Sequence, residues 1–319
     1  MKKNLAINVI TKDNEPGLEK CLSSVQELNP EYIIVFNGKS SSIEHQICKK
    51  YAPDSTFYLP WNNDFSEQRN FAISKTKADW IIWLDSDEFI PPKSVSKIKE
   101  LVESGPKGFY HNFKLIQEDA VVGQIRMFYN RPENKFSFPV HERLIPTEYP
   151  INHQGITVIH ENTDAKDSSD RNIGILTDEL EKDPNNPHLN FYLAIEYHLI
   201  DKQMKALISA EKFLYHYPVK DVDIRKMYIR YLIAWINTYT FKNYQKAIEI
   251  LLSQLILNCN IAEFWCLLGD IYFRLKRFSE AKRFYQNAVK MGEFKYENLW
   301  LVDTTKYQAY PLSRIGLCE

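Results

Sequence analysis

Three carboxylates fall within four residues at Asp85-Ser86-Asp87-Glu88, directly after the apolar run Trp80-Ile81-Ile82-Trp83-Leu84. Like charges this close repel one another, so folding alone gives little reason to set them at the end of a buried strand. Two carboxylates one residue apart can hold a divalent cation. Mg²⁺ and Mn²⁺ prefer such oxygen ligands and share their coordination with substrate phosphates. A solvated acidic turn is the plain alternative, since a bare D-x-D is common. Upstream context favours the cation. The block Trp61 to Glu88, WNNDFSEQRNFAISKTKADWIIWLDSDE, puts an Asp, an Arg and an Asn on a helix that feeds straight into the acidic strand.

The elements around this cluster alternate. Leu5–Thr11, Tyr32–Phe36, Thr56–Leu59 and Trp80–Leu84 read as strands. Pro16–Gln26 (with Leu18, Cys21, Leu22 and Val25 on one face), Ile43–Tyr51 and Ser66–Lys75 read as helices. Strands alternating with helices predict βαβ units and a mainly parallel, Rossmann-like α/β sheet. Ligands gather at the carboxyl ends of such strands, which is where the acidic cluster falls.

From about Asn172 the period changes to that of helices, and three segments repeat. In FWCLLGDIYFRLKRFSEAKRFYQNAVKMG, the residues Trp265, Leu268, Gly269, Tyr272, Phe278, Ala281, Tyr285 and Ala288 take the positions of a tetratricopeptide unit. An earlier segment places Leu193, Ala194, Tyr197, Ala206 and Pro218 at the same offsets, and a weaker middle one places Tyr244, Ala247 and Leu251. Equating Ala206, Ala247 and Ala281 gives spacings of 41 and 34, the second being the period of this helix pair. Small residues let paired helices approach while aromatics fill the gaps. The expected organisation is an α/β domain over 1–165, a linker or helix over 166–187, and all-α helical repeats over 188–319.

Apolar residues make up 44% of the 319 and charged residues 25%, with a net charge of −1, so no overall basic field draws this chain to nucleic acid. No apolar run approaches the roughly 20 residues of a membrane span, and the first residues are too soon interrupted by charge for a signal peptide. Five scattered cysteines without CxxC spacing argue against a disulfide framework or a zinc site and suit a reducing cytoplasm.

Several motifs together resemble one family. Asp64-Phe65-Ser66-Glu67-Gln68-Arg69-Asn70-Phe71-Ala72, then Asp79-Trp80 through Asp85-Ser86-Asp87-Glu88, then Val140-His141-Glu142, follow the pattern of a subgroup of inverting family 2 glycosyltransferases with the GT-A fold. The opening INVITKDNEPGLEKCLSSV is similar to the first strand and helix of that family, and the likeness spans roughly residues 4–160. Members of the subgroup often carry C-terminal tetratricopeptide repeats. They include enzymes acting on lipopolysaccharide core and peptide S-glycosyltransferases that modify bacteriocins such as sublancin.

The resemblance implies roles for particular residues. Asp87 would contact Mn²⁺ or Mg²⁺ directly, with Asp85 sharing the ion or lying nearer the donor ribose. His160, ending a strand-like run, would complete the metal shell, with His153 as the fallback. Thr11, Asn37, Asp64 and Arg69 would belong to the nucleotide-sugar site, Arg126 facing it with less support. Inverting transfer needs a general base to deprotonate the acceptor. Glu142 takes that role, with His141 to orient it or bind substrate, and Glu118 with Asp119 is the runner-up. One departure stands out. Where the family has an acidic D-x-G-S-x-D turn after its second strand, this chain has Phe36-Asn37-Gly38-Lys39-Ser40-Ser41, which leaves the nucleotide open although UDP is favoured.

The expected function is therefore metal-dependent transfer of a sugar, a hexose by preference, from a nucleotide diphosphate sugar to a peptide, protein or glycan, in the cytoplasm. The repeats would dock the acceptor or a partner, or pair two copies of the chain. The rival from another class is a repeat scaffold with a degenerate glycosyltransferase half. A nucleotidyltransferase would need a Gly-rich phosphate loop near the start, and VITKDNEPG is not one.

Overall fold

The computed structural model describes residues 4–118, 120–161, 165–220, 223–292 and 302–318. The chain separates into two compact units, Met1–Thr163 and Asp164–Glu319.

In the first unit, β1 (Leu5–Lys12), β2 (Glu31–Asn37), β3 (Thr56–Tyr58) and β4 (Trp80–Asp85) alternate with helices α1 (Leu18–Ser24), α2 (Ile43–Tyr51) and α3 (Phe65–Lys75). Then follow β5 (Glu88–Phe89), α4 (Pro92–Glu103), β6 (Tyr110–Gln117), β7 (Ala120–Tyr129), β8 (Phe136–Ser137), β9 (Arg143–Leu144) and β10 (Ile151–His160). The sheet runs β3-β2-β1-β4-β7-β6-β10-β5. Its first four strands are parallel. Beyond β4 the order is mixed: β7 runs antiparallel to β4 and β6, β10 parallel to β6, and β5 antiparallel to β10. The turn joining β6 to β7 is too short for a crossover, so those strands can only pair antiparallel.

The strands are apolar on both faces because both are covered. Leu5, Ile7 and Val9 of β1, Ile34 of β2, and Ile82 and Leu84 of β4 pack with Leu18, Cys21 and Leu22 of α1 and Val95 and Ile98 of α4. On the opposite face Ile33 and Val35 meet Ala72 of α3, while Ile81 and Trp83 join Tyr110, Phe128 and Phe136. Helix α3 is unusual in what it buries: Ser66, Gln68, Arg69 and Ala72. A buried polar face needs partners, and those partners form the candidate site.

The second unit is helical. Helix α5 (Ala165–Lys182) fills most of the expected linker segment and packs on α6 (Pro187–Leu199), Asn172 Nδ2 donating to Glu196 Oε1 at 2.7 Å. The pairs are α6 with α7 (Gln203–His216), α8 (Ile224–Tyr239) with α9 (Tyr244–Leu257), and α10 (Ala262–Arg274) with α11 (Phe278–Lys290). Helix α12 (Ala309–Gly316) packs on α11. Ala206, Ala247 and Ala281 each occupy the fourth position of the second helix of a pair, and all three are 0% exposed. The recurring alanine is thus buried at the same place in each pair.

Candidate active site

The carboxyl ends of three adjacent parallel strands meet on one edge of the sheet. Ile10 of β1 lies in register with Asp85 of β4, and Lys12 with Asn37 of β2. Thr11, Asn37 and Asp85 are thereby brought together at strand ends. Thr11 is buried and its Oγ1 has no hydrogen-bond partner among the described residues, while Asn37 is half-buried. Phe36, by contrast, packs into the core, its ring 5.3 Å from that of His45.

Asp87 follows in a tight turn whose backbone is held from two sides. A Cβ on Gly17 would lie 3.0 Å from both the Cα of Asp87 and the carbonyl oxygen of Ser86, so the start of α1 abuts this turn where a larger residue would collide. From the other side the Glu161 amide donates to the Asp87 carbonyl at 3.1 Å. Glu161 in turn receives Lys20 Nζ at 2.6 Å, and that ammonium lies 3.7 Å from the centre of the Phe89 ring. The fixed turn aims the Asp87 carboxylate at His160, Oδ2 to Nε2 at 2.9 Å. Burial pushes the His160 value down, but the hydrogen bond and charge of Asp87, with the charges of Glu88 and Asp85, outweigh it and leave the imidazole above its ordinary value.

Asp85 turns elsewhere. Its Oδ1 accepts from Arg69 Nη2 at 2.7 Å, and Nε of the same guanidinium donates to Glu142 Oε1. Burial raises the Asp85 carboxyl, yet Arg69 and then Arg126 overcome this and hold it below the usual carboxylate range. Glu88, the third acid of the cluster, is inside: it is 1% exposed, pairs with both Nη atoms of Arg126 at 2.7 and 2.5 Å, and accepts the Asp85 amide at 2.9 Å. Arg126 is therefore a buried partner beneath the acidic turn, and its guanidinium does not face the site.

The other motif residues position this arrangement. Asp64 is the N-cap of α3, its Oδ1 accepting from the Glu67 amide at 2.9 Å and from Ser66 Oγ at 2.7 Å. An Asp three residues before a Glu is the capping signal that could have found this role. Asn70 both donates to and accepts from the backbone of Phe136, at 2.9 and 2.8 Å, and the Phe65 amide donates to the Pro139 carbonyl at 2.7 Å. Helix α3 thus holds the loop between β8 and β9, which carries His141 and Glu142. Phe138 and His141 have φ of 76° and 51°, a left-handed backbone that costs energy for residues with a Cβ and often marks a functional loop.

The remaining candidates fall as follows. His153 lies within β10 against His111, Nε2 to Nδ1 at 2.9 Å, and its register partner is Phe113 while that of His160 is Gln117. Of the two histidines, His160 is the one that meets Asp87, while Nε2 of His153 is engaged within the sheet. Glu118 occupies the β6–β7 turn, one residue beyond the partner of His160, and Asp119 lies outside the described residues. Glu15 lies in the opening motif, which assigned it no site role. Burial, then the charges of Asp87 and Asp85, raise its carboxyl against the pull of Lys12, which places Glu15 in the field of the acidic cluster. Its acidic neighbours are distant in sequence, so only the fold reveals it.

Among the described residues, no three His, Cys, Asp or Glu side chains stand together as a ready cage for an ion. Also among them, no helix is long and apolar enough to cross a membrane.

Comparison with known proteins identifies both parts of the chain. The model of glycosyl transferase family 2 matches residues 6–165, and that of the tetratricopeptide repeat matches residues 262–292. The SPbeta prophage-derived glycosyltransferase SunS of Bacillus subtilis is 27% identical over 237 residues, 67% of this chain and 54% of SunS. A TPR repeat-containing protein of Synechococcus elongatus is 28% identical over 144 residues, 43% of this chain and 34% of that protein. The chain thus spans about half or less of the length of these relatives. The solved structure of S. aureus TarS aligns with 78% of this chain and 55% of its own at 12% identity and a TM-score of 0.39, a likeness too slight to argue from. With the family model covering half of its length, this chain belongs to glycosyl transferase family 2.

Proposed function

We propose that this protein transfers a hexose, with inversion, from a nucleotide diphosphate sugar (a UDP-sugar by preference) to a peptide, protein or glycan acceptor. The observation that carries this reading is the meeting of Asp87 and His160, 2.9 Å apart, beside Asp85 on the strand edge that also holds Thr11 and Asn37. Family membership and the glycosyltransferase named among its relatives support it.

The residues suit Mn²⁺ or Mg²⁺. Asp87 and His160 are 31% and 17% exposed in their side chains and offer an oxygen and a nitrogen. An ion that takes one or two carboxylates and completes its shell with substrate phosphates needs no full protein cage. When bound, it supplies charge neutralisation to the leaving diphosphate. Asp87 and His160 would hold it, with Asp85 on the ribose side. Thr11 and Asn37 line the nucleoside end. Glu142, on a loop fixed by α3, takes the acceptor proton, and His141 orients the acceptor beside it. The helical repeats serve the acceptor or the pairing of two copies. All five cysteines are unpaired, which suits a cytoplasmic enzyme.

The test is release of UDP from UDP-hexoses by the purified chain with Mn²⁺, with and without candidate peptides whose mass is then measured. Turnover abolished by Asp87→Ala and transfer slowed about a hundredfold by Glu142→Gln are expected. Failure to bind or turn over any nucleotide sugar would instead favour a repeat scaffold with a degenerate catalytic half.

A further inference from the structure

We infer that Arg69 is a positioning residue that ties the donor-side carboxylate Asp85 to Glu142, and that it does not itself bind the diphosphate. This rests on the proposed glycosyl transfer with Glu142 as base.

The Arg69 side chain is only 5% exposed, and two of its three guanidinium nitrogens are taken: Nη2 by Asp85 at 2.7 Å, Nε by Glu142. Its flat face is taken as well, since the guanidinium carbon lies 4.1 Å from the centre of the Trp83 ring. Trp83 cannot yield, because its Nε1 donates to the Ile125 carbonyl at 2.8 Å and its ring also carries the Arg126 guanidinium at 3.9 Å. Arg126 is locked by Glu88 in turn. A phosphate gripped by two nitrogens of Arg69 would have to share or displace a carboxylate already bound at Nη2 or Nε of this buried cation.

The same helix turn that presents Arg69 also presents Asn70, which fixes Phe136 at the entry of the Glu142 loop. One short segment therefore sets both the loop backbone and the Glu142 carboxylate. Glu142 is 9% exposed and Asp85 36%, so the bridge joins an inner acid to an outer one. Without the guanidinium between them, two like charges would face each other and Glu142 would lose its orientation. Lysine cannot replace it, because a single ammonium on a flexible stem does not span two fixed carboxylates.

The experiment is steady-state transfer from a UDP-hexose to an accepted peptide by wild type, Arg69→Lys, Glu142→Gln and the double variant, with UDP–Mn²⁺ affinity measured by calorimetry. In Arg69→Lys, kcat should fall about a hundredfold, within the usual contribution of a general base. The donor KM and the UDP affinity should change by less than about threefold. In the Glu142→Gln background, Arg69→Lys should add little, because residues acting as one unit are not additive. Glu142→Asp, which keeps the charge but draws it back from Arg69, should give the same kcat-only loss and serves if Arg69→Lys does not fold. A tenfold rise in donor KM with kcat retained, or losses that multiply, overturns the inference alone. A wild type without turnover, or Glu142→Gln as active as wild type, overturns the underlying reading together with it.

Discussion

His160 meets Asp87 across 73 residues of sequence, Nε2 to Oδ2 at 2.9 Å, because β10 returns to the sheet beside β5. Neither side chain has a local reason to be where it is. The shared contact makes the first prediction. Asp87→Asn and His160→Ala should each weaken Mn²⁺ binding in the presence of UDP by more than about tenfold, since even outer-shell partners of a metal commonly cost that much. Calorimetric titration of UDP-saturated protein with Mn²⁺ reads this directly. Equal affinities in all three proteins would remove the pair from the cation site.

Asn70 supports the Glu142 loop through two hydrogen bonds to the Phe136 backbone. Asn70→Ala strands a buried amide and carbonyl, which should cost roughly 2 kcal/mol. Asp64→Ala, which removes only a helix cap, should cost about 1 kcal/mol. Urea unfolding of the two variants should rank them in that order. The reverse order would mean that the loop is held from elsewhere.

In the repeat unit, a Cβ on Gly269 would meet Tyr285 Cε1 at 2.5 Å. That ring cannot swing away, because its hydroxyl donates to buried Asp270 at 2.7 Å, and Asp270 also accepts from Tyr239 and Tyr310. Alanine improves helix propensity by up to about 1 kcal/mol, but overpacking costs about 1–3 kcal/mol. The clash should win. Gly269→Ala is expected to melt lower than wild type, and a higher melting temperature would show that Tyr285 is free to move.

His111 and His153 form a pair that can share one proton but not carry two charges, their nitrogens 2.9 Å apart. Burial, then His153, holds His111 down at about 4 from an ordinary 6.5. The unfolded chain therefore takes the proton more readily than the folded one. The associated stability is fully present above pH 6.5 and is lost as pH falls toward 4. The loss is at most about 3 kcal/mol at the acid end. His111→Phe, beside the Trp80 ring, should flatten that part of the stability–pH curve. Unfolding midpoints compared at pH 7 and 5 test it, and identical slopes in variant and wild type would refute it.

Much of this protein was legible in one dimension because the physics is local. Apolar runs ending in Lys12, Asn37 and Asp85 are strands surfacing at one sheet edge. The alanines at 206, 247 and 281 mark helix pairs because only a small side chain fits a close helix crossing. The acidic cluster was visible by its cost: charge set where folding alone would not place it.

Other assignments needed the third dimension. The motif containing Asp64, Arg69 and Asn70 reads as one block, yet its members divide into a helix cap, a bridge between two acids and a loop anchor. Asp85, Asp87 and Glu88 are near neighbours in the chain but diverge to Arg69, His160 and Arg126. Residue type and strand period determined that acids would stand at the carboxyl edge of a parallel sheet. Which acid faces outward, which pairs inside and which histidine answers it depended on the order in which β7, β6, β10 and β5 joined that sheet. Such pairings join residues far apart along the chain, and only long-range packing brings their charges within reach.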